Sequence, residues 1–142
     1  MTHDHYPDTL IRDILTSTKT IALVGASPKP ERPSYGVMAT LLRRGYKVIP
    51  VNPGQAGKQI HGQTVVANLA DIDVAVDMID VFRAPEQMGS VVADVFRMKT
   101  LPKYIWGQLG VCNDAAAALA EEKGITVVMN RCPAIEIPRL GL

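Results

Sequence analysis

The chain has 142 residues, 47% of them hydrophobic and 20% charged, which is typical of one globular domain with its own core and excludes a disordered chain. The formal net charge of +1 at pH 7 excludes the strong basic excess of a protein that works mainly on nucleic acid. No apolar run approaches the roughly 20 residues of a membrane span, and the N-terminus "MTHDHYPDTL" lacks the apolar core of a secretory signal, so we expect a cytoplasmic protein with no membrane partner.

Helices and strands alternate along the chain, beginning with a predicted helix at 8–18. The apolar run "TIALVG" at 20–25 is typical of a strand buried on both faces, as parallel sheets require. Hydrophobic periodicity and the placement of glycine and proline predict the remaining elements. These are helix 35–44, strand 46–52, a loop at 53–62, a short strand and turn within 63–72, strand 73–82, helix 84–98, strand 103–110, helix 113–124 and strand 125–130.

Three local expectations concern the ends of these elements. Ser34 is the expected N-cap of helix 35–44, because its hydroxyl can accept from an unpaired amide of the first turn. Pro50 removes one backbone donor from its strand, so that strand should lie where the donor is not needed. The tail at 131–142 is broken by Pro133 and Pro138, so we expect an irregular segment that lies across the surface of its own domain.

The alternation predicts an α/β fold: a three-layer, doubly wound and mostly parallel sheet forming a single domain over 1–142, with residues 1–7 flexible. Ligands of such sheets bind beyond the carboxyl ends of the strands, where the strand order reverses. Each strand that should reach this edge ends in glycine or polar residues: "GAS" at 25–27, "NPG" at 52–54, Asp80 to Arg83, "WGQ" at 106–108 and "NRC" at 130–132.

The loop after the first strand suits a phosphate. Amides after Gly25 and at the start of the next helix can point at an anion, assisted by the helix dipole. Three prolines remove donors from this loop, and its side chains compensate, above all Arg32, which can grip a phosphate with two hydrogen bonds. The other side chains of this loop that can bind a phosphate are Ser27, Lys29 and Ser34.

The end of the second strand favours some nucleotides over others. NAD-binding folds usually place a carboxylate there for the ribose diol, and NADP-binding folds keep a cation nearby. Here the strand ends "VIPVNPG", without a carboxylate, so a phosphorylated ribose remains open with Lys58 as one candidate cation. A small NADP(H)-binding protein or oxidoreductase is therefore one hypothesis.

Few residues indicate catalysis. Asp77 and Asp80 lie three apart on one predicted strand, so they point to opposite faces and form no acid–base pair; we expect structural roles, with Asp80 nearer the crevice. His61 is expected in a solvent-facing loop. Trp106 belongs either to the core or to the pocket wall. Cys132 follows Arg131, which could activate its thiol for redox chemistry or for disulfide formation with a thiol ligand, but an inert buried cysteine is the preferred interpretation.

Five blocks in order carry a family resemblance: "VGASPKPERPSYGV", "GYKVIPVNP", "VDMIDVFR", "IWGQLG" and "VVMNRCPAIE". Over roughly residues 8–140 the chain resembles the small YccU-like coenzyme A (CoA)-binding proteins, and is similar to the N-terminal CoA-binding domain of the succinyl-CoA synthetase α subunit. The resemblance implies a Rossmann-like fold and binding of CoA or acyl-CoA as the small-molecule ligand. It carries binding but not ligase catalysis, because the ligase has its phosphorylated histidine in a second domain, so a non-enzymatic module is expected.

The resemblance also implies a role for each site residue. Gly25, Ala26 and Ser27 would pass under the pyrophosphate, which Arg32, Ser34 and Tyr35 would complete. Asn52 and Pro53 would lie against the adenosine, Lys58 near the 3′-phosphate, Val81, Phe82 and Arg83 beside the pantetheine, and Trp106 and Gln108 on the floor. The chain departs from the ligase at Gln55, where the ligase has a lysine. A protein partner or a homodimer is left open.

Overall fold

A five-stranded parallel sheet forms the centre of the computed structural model, which describes residues 2–142. Its strand order is β2-β1-β5-β6-β7. The strands are β1 Thr20–Val24, β2 Lys47–Val51, β5 Met78–Val81, β6 Tyr104–Gly107 and β7 Thr126–Val128, and a small antiparallel pair consists of β3 Gln59–Ile60 and β4 Gln63–Thr64. The helices are α1 Asp8–Ser17, α2 Pro33–Arg43, α3 Met88–Val95, α4 Asp114–Glu122 and α5 Pro133–Arg139.

Helices cover both faces of this sheet, which confirms the predicted three-layer, Rossmann-like single domain. On one face, α3 and α4 pack over buried Ala22, Ile79 and Val127. On the other face, α1, α2 and α5 pack through residues such as Ile14, Met38 and Ile137. The continuous apolar runs of the central strands follow from this arrangement, because successive side chains enter opposite cores. None of the helices among residues 2–142 has the length and apolar character needed to cross a membrane.

The predicted elements are mostly present, with differences at their ends. Strand β2 lies at the edge of the sheet, which is where Pro50 can be accommodated. Helix α2 begins at Pro33 with Arg32 as its N-cap, because proline is favoured in a first helical turn. Ser34 is therefore inside the helix rather than its cap. The expected loop at 53–62 contains β3 instead.

The C-terminal tail is a helix, contrary to the irregular segment expected from its two prolines. Pro133 occupies the first turn of α5 and Pro138 lies one residue before its end, so the missing donors disrupt little of this short helix. Ile137 is buried, and Arg139 ties the helix down through Glu136 and Asp8. The tail thus packs on its own domain.

The segment before α1 is packed against the domain over the residues that the structure describes. Tyr6 is 4% exposed, and its hydroxyl accepts from the Met129 amide at 2.9 Å and contacts His3 Nδ1 at 2.6 Å. His3 Nε2 lies 2.8 Å from Glu121 Oε1. Within the terminus expected to be flexible, His3 and Tyr6 thus contact the domain, and Met1 lies outside the described residues.

Candidate functional site

A cavity of about 660 Å³ opens at the carboxyl ends of the strands. The β1–α2 loop forms one end of it and the segments after β6 and β7 form the other, with the end of β5 between them. The chain runs from β1 outward to β2 and then crosses to β5 on the other side of β1. The strand order therefore reverses between β1 and β5, and the cavity lies at this point, as expected for doubly wound sheets.

Gly25 makes the sharp turn that opens the β1–α2 loop. Its φ is +90°, and a Cβ at this position would lie 2.2 Å from the Phe82 carbonyl oxygen, so only glycine fits. The amides of Gly25 and Ala26 both donate to the Val51 carbonyl, at 3.0 and 3.3 Å. Of the amides expected to face a ligand, the first one after Gly25, that of Ala26, is therefore used by the turn to hold β1 against β2.

Other backbone amides at the β1–α2 end of the cavity remain available to a ligand. Among the described residues, no acceptor lies within hydrogen-bonding distance of the Ser27 or Ser34 amides. Ser34 lies in the first turn of α2, where amides have no intrahelical partner and the helix dipole favours an anion. The Ser34 side chain is 3% exposed and lines the cavity, and its Oγ has no hydrogen-bond partner in the described chain.

Asn52 joins two loops at the rim of the cavity. Its Nδ2 donates to the Ala26 carbonyl at 2.8 Å, and its Oδ1 accepts from the Gly54 amide at 2.9 Å. Both polar ends of the side chain are thus used to fix the β1–α2 loop against the β2 end. This tie explains an asparagine at the position where other nucleotide-binding folds place a carboxylate.

Three cations line the cavity: Lys29, Arg32 and Arg83. Within residues 2–142, none of their side chains forms an ion pair or a side-chain hydrogen bond, and no carboxylate lines the same cavity. Arg83 also borders an adjoining cavity of about 250 Å³ beside α3. The site therefore presents positive charge that the protein itself does not neutralise.

The inner wall is neutral and polar. Gln108 is 6% exposed and its Oε1 has no hydrogen-bond partner among the described residues; the same is true of Gln55 Oε1 at the opposite end. Buried side-chain acceptors are nearly always hydrogen-bonded. Both oxygens are sealed from solvent, so they are buried hydrogen-bonding capacity beside the cavity that the described part of the chain does not use.

The structure brings together eight of the fourteen predicted site residues as cavity lining: Gly25, Ser27, Arg32, Ser34, Asn52, Phe82, Arg83 and Gln108. Pro53 borders the adjoining cavity, and Ala26 contributes its carbonyl to the Asn52 bond. Tyr35 packs on His61, their ring centroids 4.1 Å apart, and His61 Nε2 bonds the Tyr35 carbonyl rather than facing solvent. Lys58 is exposed and lines neither cavity.

Two predicted residues are buried away from the cavity. Trp106 is 0% exposed, and its Nε1 donates to the Arg131 carbonyl at 2.9 Å, so it supports the loop after β7 from the core instead of forming the floor. Val81 is also 0% exposed and belongs to the core beneath α3 and α4. The alternation of strand residues points Val81 away from the face that carries Phe82.

Sequence reasoning did not assign several lining residues. Lys29 is expected only as a side chain of the phosphate loop, Gln55 only as a departure from the ligase, and Cys132 only as a thiol beside Arg131. Pattern analysis gives no signal for side chains whose position depends on loop conformation. Those missed are Pro33, Val37, Ala84, Gln87, Leu109 and Val111.

Asp77 and Asp80 differ in burial and in their hydrogen-bond partners. Asp77 Oδ2 accepts from the Lys19 and Thr20 amides at 2.9 and 3.1 Å, which is a structural role at the start of β5. Asp80 is 0% exposed, lines neither cavity, and neither of its oxygens has a partner within the described chain. Burial raises the pKa of Asp80 well above its ordinary value, because desolvation disfavours the charged form.

A family model described as "CoA binding domain" matches residues 19–138. The chain belongs to this family. The uncharacterized protein YneT of Bacillus subtilis is 37% identical over 122 residues, covering 86% of this chain and 87% of YneT. These matches confirm the resemblance found in the five sequence blocks.

Solved structures of similar proteins share the fold of this CoA-binding domain over nearly its whole length. A hypothetical protein from Pyrococcus horikoshii has 37% identity and a TM-score of 0.89, covering 100% of this chain and 97% of its own. A protein from Thermus thermophilus has 36% identity and a TM-score of 0.88, covering 95% and 99%. The same α/β fold thus extends over nearly all of this chain and of both solved chains.

Proposed function

We propose that this protein binds CoA or an acyl-CoA in the cavity at the carboxyl edge of the sheet. The observation that carries the proposal is the lining of the cavity. Among the described residues, the lining includes three cations without protein partners and no carboxylate. A diphosphate ligand with a phosphorylated ribose matches this charge, whereas the diol of NAD has no carboxylate to receive it. The membership of the chain in the CoA-binding family supports the same ligand.

The phosphate groups belong at the β1–α2 end. Ser27, Ser34 and the first turn of α2 offer uncommitted donors there, and Arg32 and Lys29 add charge. Charge-assisted hydrogen bonds from arginine to phosphate are about twice as strong as neutral ones. We assign the adenosine to the side of Asn52 and Pro53, and the 3′-phosphate to Lys58, an exposed residue of the loop that follows them.

A binding role accounts for the lining better than a catalytic one. The titratable side chains that line the cavity are Lys29, Arg32, Arg83 and Cys132, and they include no carboxylate or histidine to move a proton near neutral pH. Asp80, whose raised pKa is of the kind that general acids show, is sealed in the core. The module thus acts as a carrier or sensor of its ligand.

Calorimetric titration with CoA, 3′-dephospho-CoA and NADPH tests this function. We expect saturable binding of CoA, about tenfold weaker binding of the dephospho form because one charged contact is lost, and no comparable affinity for NADPH. Equal affinity for CoA and 3′-dephospho-CoA would remove the cationic 3′-phosphate site. Tight NADPH binding without CoA binding would replace the proposal by an NADP(H)-dependent function.

A further inference from the structure

The β3–β4 hairpin has a histidine in its turn. Ile60 pairs with Gln63 across the hairpin, so the turn consists of His61 and Gly62, whose φ angles are +49° and +78°. A two-residue turn with positive φ at both positions favours asparagine followed by glycine. Histidine is less suited than asparagine to the left-handed region. The geometry of the turn alone therefore does not explain the imidazole.

The imidazole of His61 contacts the first turn of α2. Its Nε2 lies 2.8 Å from the Tyr35 carbonyl oxygen, and because a carbonyl oxygen can only accept, Nε2 carries the proton and donates. The ring also packs on the Tyr35 ring, with centroids 4.1 Å apart. Ile60 beside it is 1% exposed and belongs to the core cluster that Tyr35 joins. The hairpin is thus anchored, and His61 extends from it to the helix.

This contact lies next to the lining of the cavity. Ser34, which precedes Tyr35, is 3% exposed and lines the cavity, as Arg32 does. The Tyr35 amide donates to the Arg32 carbonyl at 3.1 Å, so the backbone of this turn is joined to the residue that carries the cation. A shift of the Tyr35 carbonyl would therefore shift the donors that the proposed function assigns to phosphate.

The opposite end of the β1–α2 loop is held in the same manner. Asn52 Nδ2 donates to the Ala26 carbonyl at 2.8 Å. Asn52 and His61 both belong to the segment between β2 and β5, and each donates from its side chain to a backbone carbonyl at one end of the loop. A loop that is held in its binding conformation loses less freedom when the ligand arrives, which raises the affinity.

Resting on the proposed function, we propose that His61 is a positioning residue for phosphate binding, which acts through the Tyr35 carbonyl to hold the first turn of α2 in its binding geometry. His61 lines neither cavity, so its effect on the ligand is indirect. Tyr35 lines neither cavity as well, and it contributes through its backbone and through its ring contact with His61. The imidazole thus serves binding at a position where the turn itself favours asparagine.

Two substitutions of His61 separate the turn from the hydrogen bond. His61→Asn supplies the residue that the turn favours, but its amide nitrogen takes the place of Nδ1 and is too short to replace Nε2. His61→Gln places an amide nitrogen at the same number of bonds from Cα as Nε2, but glutamine is less suited to a positive φ. His5→Asn is the control for the loss of an imidazole, because His5 is exposed and lines neither cavity.

Urea denaturation and calorimetric titration with CoA should give opposite orders for the two variants. The urea midpoint of His61→Asn should equal or exceed that of the unaltered protein, and the midpoint of His61→Gln should be lower. His61→Asn should nevertheless lose about fivefold in CoA affinity, the equivalent of one ordinary hydrogen bond, whereas His61→Gln should stay within about twofold of the unaltered protein. His5→Asn should change neither measurement.

Every other result counts against the proposal. If CoA affinity follows stability, so that His61→Gln loses more than His61→Asn, the histidine is only a structural residue of the hairpin. If His61→Asn binds CoA as tightly as the unaltered protein, or if both variants lose affinity equally, the hydrogen bond to Tyr35 does not position the phosphate site. If the unaltered protein does not bind CoA, the proposed function fails and this inference fails with it.

Discussion

The cavity rim and the anchor of the N-terminal segment use their polar groups in opposite ways. In the anchor, formed by His3, Tyr6, Glu121 and Met129, the polar groups bond one another, and Arg131 lies over the Tyr6 ring at 5.0 Å from its centroid. On the rim, the side chains of Lys29, Arg32 and Arg83 have no partner among the described residues. Structural regions satisfy their polar groups internally, whereas a binding region leaves that capacity to the ligand.

The largest expected effect comes from the turn that shapes the rim. Gly25→Ala should lower the free energy of unfolding by about 3 kcal/mol or more, because the new Cβ must be accommodated 2.2 Å from the Phe82 carbonyl oxygen at a φ of +90°. The measurement is urea denaturation of both proteins.

Gly45→Ala is the matched control for this turn. Gly45 has a φ of +91° and no atom within 4 Å of the added Cβ, so only backbone strain of about 1 kcal/mol is expected. Equal losses for the two variants would show that the close approach to Phe82 contributes nothing.

Asp80 is an exception to this contrast between structural and binding regions. Its carboxylate has no hydrogen-bond partner within the described chain, and yet it lines neither cavity. Its raised pKa means that the folded chain keeps a proton that the unfolded chain releases above its ordinary pKa of 3.8. The free energy of unfolding contributed by this group is therefore greatest below pH 4 and falls as the pH rises toward the folded-state pKa, by up to about 1.4 kcal/mol per pH unit.

Asp80→Asn should remove this fall and stabilise the protein at neutral pH. Urea denaturation between pH 4 and pH 8 measures the slope, and Asp13→Asn, at an exposed position of α1, is the control. An unchanged slope in Asp80→Asn would mean that the carboxyl has partners in solution that keep it ionised.

Removing one hydroxyl tests the anchor. Tyr6→Phe leaves the buried Met129 amide without its acceptor, so we expect a loss of about 2 kcal/mol in unfolding free energy and unchanged affinity for CoA. Tyr104→Phe is the control, since the Tyr104 hydroxyl bonds the exposed Ser17 hydroxyl. A loss of CoA affinity in Tyr6→Phe would show that the anchor and the cavity rim are energetically coupled, which contradicts their separation.

The sequence predicts the elements of this fold well, because patterns of period 2 and 3.6 reflect burial directly. The glycine turn at Gly25 and the polar strand ends were predictable for the same reason: topology alone brings them to one edge. The face to which Trp106 points was not predictable, because both faces of this strand are buried and the apolar run does not distinguish them. The partner of the Gly25 amide was not predictable either, because it depends on how the loop closes against β2. Helix α5 is not predicted, because two prolines within twelve residues indicate a broken segment, whereas Pro133 begins the helix.

The smallest expected effect on stability, and a clear one on binding, comes from a cation of the rim. Arg32→Gln should weaken CoA binding about five- to tenfold and reduce the salt dependence of the affinity, because one charged contact to phosphate is replaced by a neutral one. Its unfolding free energy should be unchanged within about 0.5 kcal/mol, since the side chain is exposed and has no partner within residues 2–142. Arg12→Gln on the exposed face of α1 is the control for net charge. If both variants weaken CoA binding equally, the rim attracts its ligand through overall charge alone, and Arg32 makes no specific contact.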